Sequence, residues 1–199
     1  MIATLLDDIY KPRNLCEILR TFSAIRKPDD ETFKLFVHDP RKRLREAEEE
    51  GKVQGNGAYT NIVSNVGYDV IAEICPFLKE YDGRKVAIDI RADAVPLNTF
   101  LFRNKDLLIF GNERAGLDDR VLGLCDDCVV IPMFGAHYRD NENRELSLDH
   151  ERPLTGIREH SAFNVSVAYG IAVLYALQQL GYFEGFEPQS LFSGNKNVK

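Results

Sequence analysis

No run of eighteen uninterrupted apolar residues occurs in this chain, so the sequence offers no candidate membrane-spanning helix. Its first residues, MIATLLDDIYKPRN, lack a basic start and an apolar core followed by a small-residue cleavage site. They do not read as a signal peptide, and the expectation is a cytoplasmic protein with no membrane partner. A basic excess is also missing. Against 25 Lys and Arg stand 31 Asp and Glu, a formal net charge of −6. Such a far field repels phosphate and argues against non-specific nucleic-acid binding. Screening confines that field to about 8 Å at physiological salt, so a local basic cleft can still override it. Neither G-x-G-x-x-G nor G-x-x-x-x-G-K-[ST] is present, which ranks an unrelated nucleotide-binding enzyme low.

Cysteine and histidine are too few and too scattered for a metal site. Cys125 and Cys128 form a C-x-x-C that could be a redox pair or half a zinc site, yet no second pair completes it. Cys128 opens the apolar run CVVIPM, and reduced thiols packed beside a strand are the simpler reading. His38, His137, His150 and His160 have no ligand spacing, and no metal is expected.

What is present suits one globular domain: 199 residues, 44% hydrophobic and 28% charged. ATLLDDI (3–9) reads as a first strand and TFKLFVH (32–38) as a second. KVAIDI, DLLIFG and CVVIPM read as three later strands. Between the first two, NLCEILRTFSAI places Leu15, Ile18, Leu19, Phe22 and Ile25 on one stripe, with Asn14 at the expected N-cap. RKRLREAEEEGK predicts a charged helix, QGNGAYTNI a loop leading to a short strand or turn, and DVIAEICPFLKEY an amphipathic helix disturbed by Pro76. The last helix, 161–180, ends before Gly181, a natural C-cap. From Val165 to Leu177 it is apolar on nearly every face, as expected of a central core helix or of one shared with a partner subunit. Strands alternating with helices predict an α/β fold with a mainly parallel sheet flanked by helices. Ligands of such sheets bind beyond the strand carboxyl ends. That is where LLIFGNERAGLDDRVLGLCDDCVVIPMFG (107–135) puts its polar residues and glycines.

Three segments, NLCEILRT, LLIFGNERAGLDDRVLGLCDDCVVIPMFG and AFNVSVAYGIAVLY, are each weak signals alone. In this order they resemble the three motifs of the SpoU/TrmH branch of the SPOUT RNA methyltransferases, whose patterns read N-x5-R, FGNExxGL…CDxxVxIPMxG and SLNVSVAxGIxLY. The resemblance runs from Leu5 to about Tyr182. It implies a SPOUT-type domain over 1–182 with a deep C-terminal trefoil knot, and a tail over 183–199. It further implies S-adenosyl-L-methionine as cofactor, a homodimer whose active sites combine both subunits, and methyl transfer to a ribose 2′-hydroxyl of tRNA or rRNA.

By the same resemblance, Gly111, Asn112, Ile131, Met133, Ala162, Phe163 and Asn164 would bind the cofactor. Gly111 and Gly135 would permit close backbone approach to it. Arg20, Asn14, Glu113 and Asn164 would form the catalytic group. Arg20 acts there either as general base or as stabiliser of charge on the 2′-oxygen. It lies on its helix opposite the apolar stripe, facing away from the core. Lys11, Arg13, Arg26 and Lys27 beside the first motif and Arg114 beside the second are the candidate RNA contacts. The chain departs from the pattern in two places. Ala162 and Phe163 replace the usual Ser and Leu, with Ser161 one place earlier. Residues 136–160 form an insertion, either a substrate clamp or lid or a plain surface loop. A non-catalytic RNA-binding protein on the same scaffold is the alternative function.

Overall fold

The computed structural model describes residues 1–27, 30–46, 66–133 and 162–187. The described elements, in chain order, begin with β1 (Ala3–Asp7), α1 (Pro12–Ile25), β2 (Lys34–His38), β3 (Asp69–Ile71), α2 (Ile74–Glu80) and β4 (Lys85–Ile88). They continue with β5 (Val95–Pro96), a 3-10 turn (Leu97–Thr99), β6 (Leu107–Phe110), α3 (Asp119–Leu122), β7 (Asp127–Val130) and α4 (Val165–Gln179). The strands form one sheet in the order β3-β2-β1-β6-β4-β7-β5. Every pairing in it is parallel.

Parallel sheets bury both faces, which is why β6 reads as an unbroken apolar run. Successive side chains leave a strand in opposite directions. Leu108 and Phe110 thus join Leu6, Ile18, Leu19, Phe22 and Tyr169 in the core under α1 and α4. Leu107 and Ile109 join Leu5, Ile74, Leu78 and Val121 under α2 and α3. Each such buried Leu, Ile or Phe contributes about 1.5–3 kcal/mol, so the central strands anchor the site that grows from their ends. From β1 the chain builds outward through β2 and β3, then crosses to the other side for β4 to β7. The junction of β1 and β6 is therefore a switch point, and a cleft lies next to it, at the carboxyl ends of β6, β4 and β7.

The sheet and the α1 stripe agree with the sequence reading, while several boundaries do not. Helix α1 starts at Pro12, with Lys11 as N-cap, so Asn14 lies buried inside the first turn instead of capping it. Proline suits the first helical position because its missing N–H would have had no partner there. Residues 69–71, expected to be helical, are extended and pair with β2, Val37 opposite Val70. The helix begins only at Ile74, which puts Pro76 in the first turn, where it costs no helical hydrogen bond. Helix α4 runs 165–179 rather than 161–180. Gly181 takes φ +70 just past it, as a C-terminal glycine should. The expected elements beyond residue 46 in RKRLREAEEEGK, and the QGNGAYTNI segment, fall outside the described residues.

Candidate active site

The loop after β6 is a tight turn built on two glycines. Asn112 and Gly116 exchange backbone hydrogen bonds of 3.2 and 2.7 Å, and Gly116 sits at φ +70. A Cβ on Gly111 would come within 2.5 Å of the Gly116 carbonyl carbon and 2.6 Å of Leu117 N. Whatever ligand approaches Gly111, the turn's own backbone already requires its missing side chain. Asn112, 9% exposed, ties this turn to the end of β1. Its Nδ2 donates to Asp8 O at 2.8 Å, and its Oδ1 accepts from Arg114 N at 2.9 Å.

The turn aims Glu113 at the start of α1. Its carboxylate accepts from Tyr10 N at 2.6 Å, Lys11 N at 3.2 Å and Asn14 Nδ2 at 2.5 Å. The N-cap has no side-chain hydrogen bond of its own, so a carboxylate from a distant loop satisfies backbone donors at the helix entrance. Its charge also suits the positive end of the helix dipole. The relay continues across α1. Asn164 Nδ2 donates to Asn14 Oδ1 at 3.1 Å, and Asn164 Oδ1 caps α4 by accepting from Ser166 N at 2.9 Å. The Ser166 hydroxyl lies 2.8 Å from both Glu17 Oε2 and Asn164 Oδ1. One chain of polar contacts thus joins the β6 turn, α1 and the first turn of α4.

Beside this relay lies a cleft whose floor is Ile88, Phe110, Val129 and Ile131. Its rim carries Gly111, Asn112, Glu113, Met133, Ala162 and Phe163. Asp89, not singled out from the sequence, holds the rim together. Its two carboxylate oxygens accept from Ile90 N at 2.7 Å and Leu117 N at 2.9 Å, so it pins the β4 loop to the β6 turn. A carboxylate directly after an apolar strand was the available signal, yet the same pattern ends β1.

The cysteines stand apart from this chemistry. All four are free, and burial pushes the Cys125 and Cys128 thiols up to about 12 and about 11. At neutral pH such groups are protonated and unreactive. Among the described residues no group of three or more His, Cys, Asp or Glu is placed to hold a metal ion.

Comparison with known proteins decides the family. The model of the SpoU rRNA Methylase family matches residues 1–138. The chain belongs to that family. A curated relative, a tRNA (guanosine(18)-2′-O)-methyltransferase of Thermus thermophilus, is 27% identical over 134 residues. That match covers 67% of this chain and 64% of the relative, so the chain spans less than two thirds of that protein. The same fold occurs in the A. aeolicus TrmH/SpoU tRNA modifying enzyme, at TM-score 0.64 and 17% identity over 100% of this chain and 90% of that one. It occurs also in a protein whose structure concerns 2-OH methylation of C/U34 on tRNA, at TM-score 0.62 and 22% identity, over 92% and 97% of the two chains.

Set against the SpoU motifs, the residues divide into three groups. Gly111, Asn112, Glu113, Ile131, Met133, Ala162 and Phe163 meet at the cleft, and Asn14 and Asn164 join it through the relay. Arg20 does not line the cleft. It is exposed on α1 and has no ion-pair or hydrogen-bond partner among the described residues. The expected RNA contacts split between the two ends of α1, about 21 Å apart at 1.5 Å per residue. Lys11, Arg13 and Arg114 lie at the cleft end, with Arg13 paired to Glu17 at 3.0 Å. Arg26, stacked over Phe22 at 5.4 Å, and Lys27, over Tyr182 at 4.5 Å, lie at the far end. Gly135, Ser161 and the 136–160 insertion lie outside the described residues.

Proposed function

We propose that this chain is an S-adenosylmethionine-dependent methyltransferase acting on a ribose 2′-hydroxyl of transfer or ribosomal RNA. The observation that carries this reading is the convergence of three separate motifs on one strand-end cleft, joined by the Glu113–Asn14–Asn164 relay. The lining suits the cofactor. Ile131, Met133 and Phe163 give apolar walls for an adenine. The charged side chains among the described lining residues, Asp89 and Glu113, are both carboxylates, which favours a cationic ligand over an anionic one.

When bound, S-adenosylmethionine supplies a methyl group on a sulfonium, an electrophile with a good leaving group. The protein's part is alignment and charge stabilisation. Gly111, Asn112, Ile131, Met133, Ala162, Phe163 and Asn164 would hold the cofactor. Asn14, Asn164 and Glu113 would fix the ribose and the entrance of α1. The guanidinium of Arg20 is a donor-only group with no acceptor for a proton. In this reading it stabilises negative charge building on the 2′-oxygen instead of removing the proton.

Because Arg20 stands outside the cleft of its own chain, the proposal includes a homodimer. Val167 and Leu174 on α4 remain 47% and 45% exposed, on a helix that packs beside α1. A second copy covering them would bring Arg20 of one subunit to the cleft of the other. Lys11, Arg13 and Arg114, with Arg26 further off, would meet the RNA. The trefoil knot, a methyltransferase domain over 1–182 with the 136–160 insertion near the RNA entrance, a tail over 183–199 and a cytoplasmic location belong to the same proposal by family pattern.

The test pairs cofactor binding with methyl transfer in wild type and Arg20→Ala. Transfer that disappears in the variant while binding persists supports the reading. Binding in both with transfer in neither supports a non-catalytic RNA-binding scaffold.

A further inference from the structure

Three arginines converge on one ring beside the cleft. The guanidinium of Arg114 lies 3.8 Å from the Tyr10 ring centroid, with Arg43 at 5.4 Å and Arg41 at 5.6 Å. The ring and the three arginines come from the segments that follow β1 (Tyr10), β2 (Arg41 and Arg43) and β6 (Arg114), all at the carboxyl end of the sheet. Neighbouring carboxylates are occupied. Asp8 pairs with Arg41 at 3.0 Å, and Glu46 pairs with Arg43. Asp39 accepts from the backbone N–H of Arg43 and Leu44 at 2.7 and 2.9 Å. Glu113 is taken up at the α1 entrance. Arg114, Lys11 and Lys42 are exposed and have no carboxylate partner among the described residues. Two of these segments hold left-handed residues, Asp8 at φ 52 and Lys42 at φ 59. Local strain of this kind is retained where surroundings impose a geometry.

We propose that Tyr10, Arg41, Arg43 and Arg114 form a platform that binds backbone phosphates of the RNA substrate on the β1–β2 side of the cleft. This rests on the methyltransferase reading above and adds to it the route of the strand. Tyr10 is the organising group. Its ring holds the Arg114 guanidinium by a cation–π contact rather than by a carboxylate, which leaves N–H donors for a two-point contact with phosphate. Stacking of a base is disfavoured on that face, because a guanidinium already covers it. Arg41 adds a half-exposed second charge, its side chain 48% exposed, and Arg43, at 24%, lies 5.4 Å from the same ring. In a chain of net charge −6, polyanion binding needs such a local concentration of positive charge.

The test is a titration of wild type and variants with unfractionated transfer RNA and, in parallel, ribosomal RNA, repeated across salt concentrations. Cofactor binding and methyl transfer are measured on the same samples. Loss of both contacts in the double variant Arg41→Gln/Arg114→Gln should weaken binding about ten-fold or more. It should also reduce the slope of log affinity against log salt by about 1.4–1.8, at roughly 0.7–0.9 per phosphate contact. Tyr10→Leu should weaken binding while keeping the slope, because the charges remain. Arg103→Gln, which like Arg114→Gln alone removes one positive charge but at the opposite end of the sheet, should leave the slope unchanged. Cofactor binding should persist throughout. Should the double variant lose its fold, Arg114→Gln alone decides the matter, since that side chain is exposed and has no carboxylate partner among the described residues. Wild-type affinity and slope in these variants, with methyl transfer intact, overturn the platform and leave the methyltransferase reading standing. Wild type that neither binds RNA nor transfers methyl overturns both.

Discussion

Glu113 and Asn14 are 99 residues apart in sequence and 2.5 Å apart in space, and their contact couples the β6 turn to the first turn of α1. The carboxylate accepts three hydrogen bonds at once, two of them from the backbone. Glu113→Gln keeps the shape but turns one acceptor oxygen into a donor facing other donors. The expected loss is about 1–3 kcal/mol of stability, read by urea unfolding, together with weaker cofactor binding. Unchanged stability and binding would contradict the coupling.

Gly111→Ala should be far worse than Gly170→Ala. At 111 the new methyl meets backbone atoms at 2.5 and 2.6 Å, which cannot swing aside as a side chain can. The turn must deform, at about 1–3 kcal/mol, and the cleft rim with it. At 170 the methyl reaches only Thr21 Cγ2, at 3.9 Å, and replaces a helical glycine, a change worth up to about 1 kcal/mol in favour of the variant. Thermal unfolding of the two variants side by side checks the contrast.

Arg84 is the expected stability hot spot away from the cleft. It pairs with Asp106 through Nε at 3.0 Å and Nη2 at 2.7 Å, reaches Asp127 at 3.2 Å and lies over Phe100 at 4.7 Å. Asp106 is 1% exposed, so Arg84→Met would strand a buried carboxylate. A loss of about 3–5 kcal/mol is expected, with residual folded protein binding cofactor normally. A cost below about 1 kcal/mol would contradict the account.

The Cys125 and Cys128 thiols should resist alkylation at pH 8 in the folded protein and react readily in urea. With the Cys125 thiol pushed up to about 12 from an ordinary value near 9, only about one molecule in ten thousand carries thiolate at pH 8, against about one in eleven for an unburied thiol. The linkage has a definite sign. Because the folded-state value is raised, the neutral thiol's contribution to stability is complete below the unfolded value near 9 and fades as pH rises towards about 12. Equal reaction rates with and without urea would contradict this burial.

The parallel sheet and the core face of α1 were legible because burial on both faces writes itself as continuous apolar runs, and burial on one face as a 3.6-residue stripe. What escaped depends on partners far along the chain. Val70, Ile71, Ile74 and Leu78 have a spacing that a helix could also use; only pairing with β2 makes 69–71 a strand. Asn14 looked like a cap because it precedes the stripe, although Pro12 was the better signal. The cleft residues were legible through motif order, whereas Asp89 was not, since its role lies in a hydrogen bond to Leu117, 28 residues on. The three arginines around Tyr10 follow no sequence spacing at all. They meet only because β2, β1 and β6 are neighbours in the sheet.

The most direct measurement incubates the protein with methyl-labelled S-adenosylmethionine and cellular RNA, followed by nucleoside analysis by mass spectrometry. Wild type should produce a 2′-O-methylated nucleoside that Arg20→Ala does not, at equal cofactor binding. A label found on a base, or no label on RNA while cofactor is bound, would contradict the proposed ribose methylation.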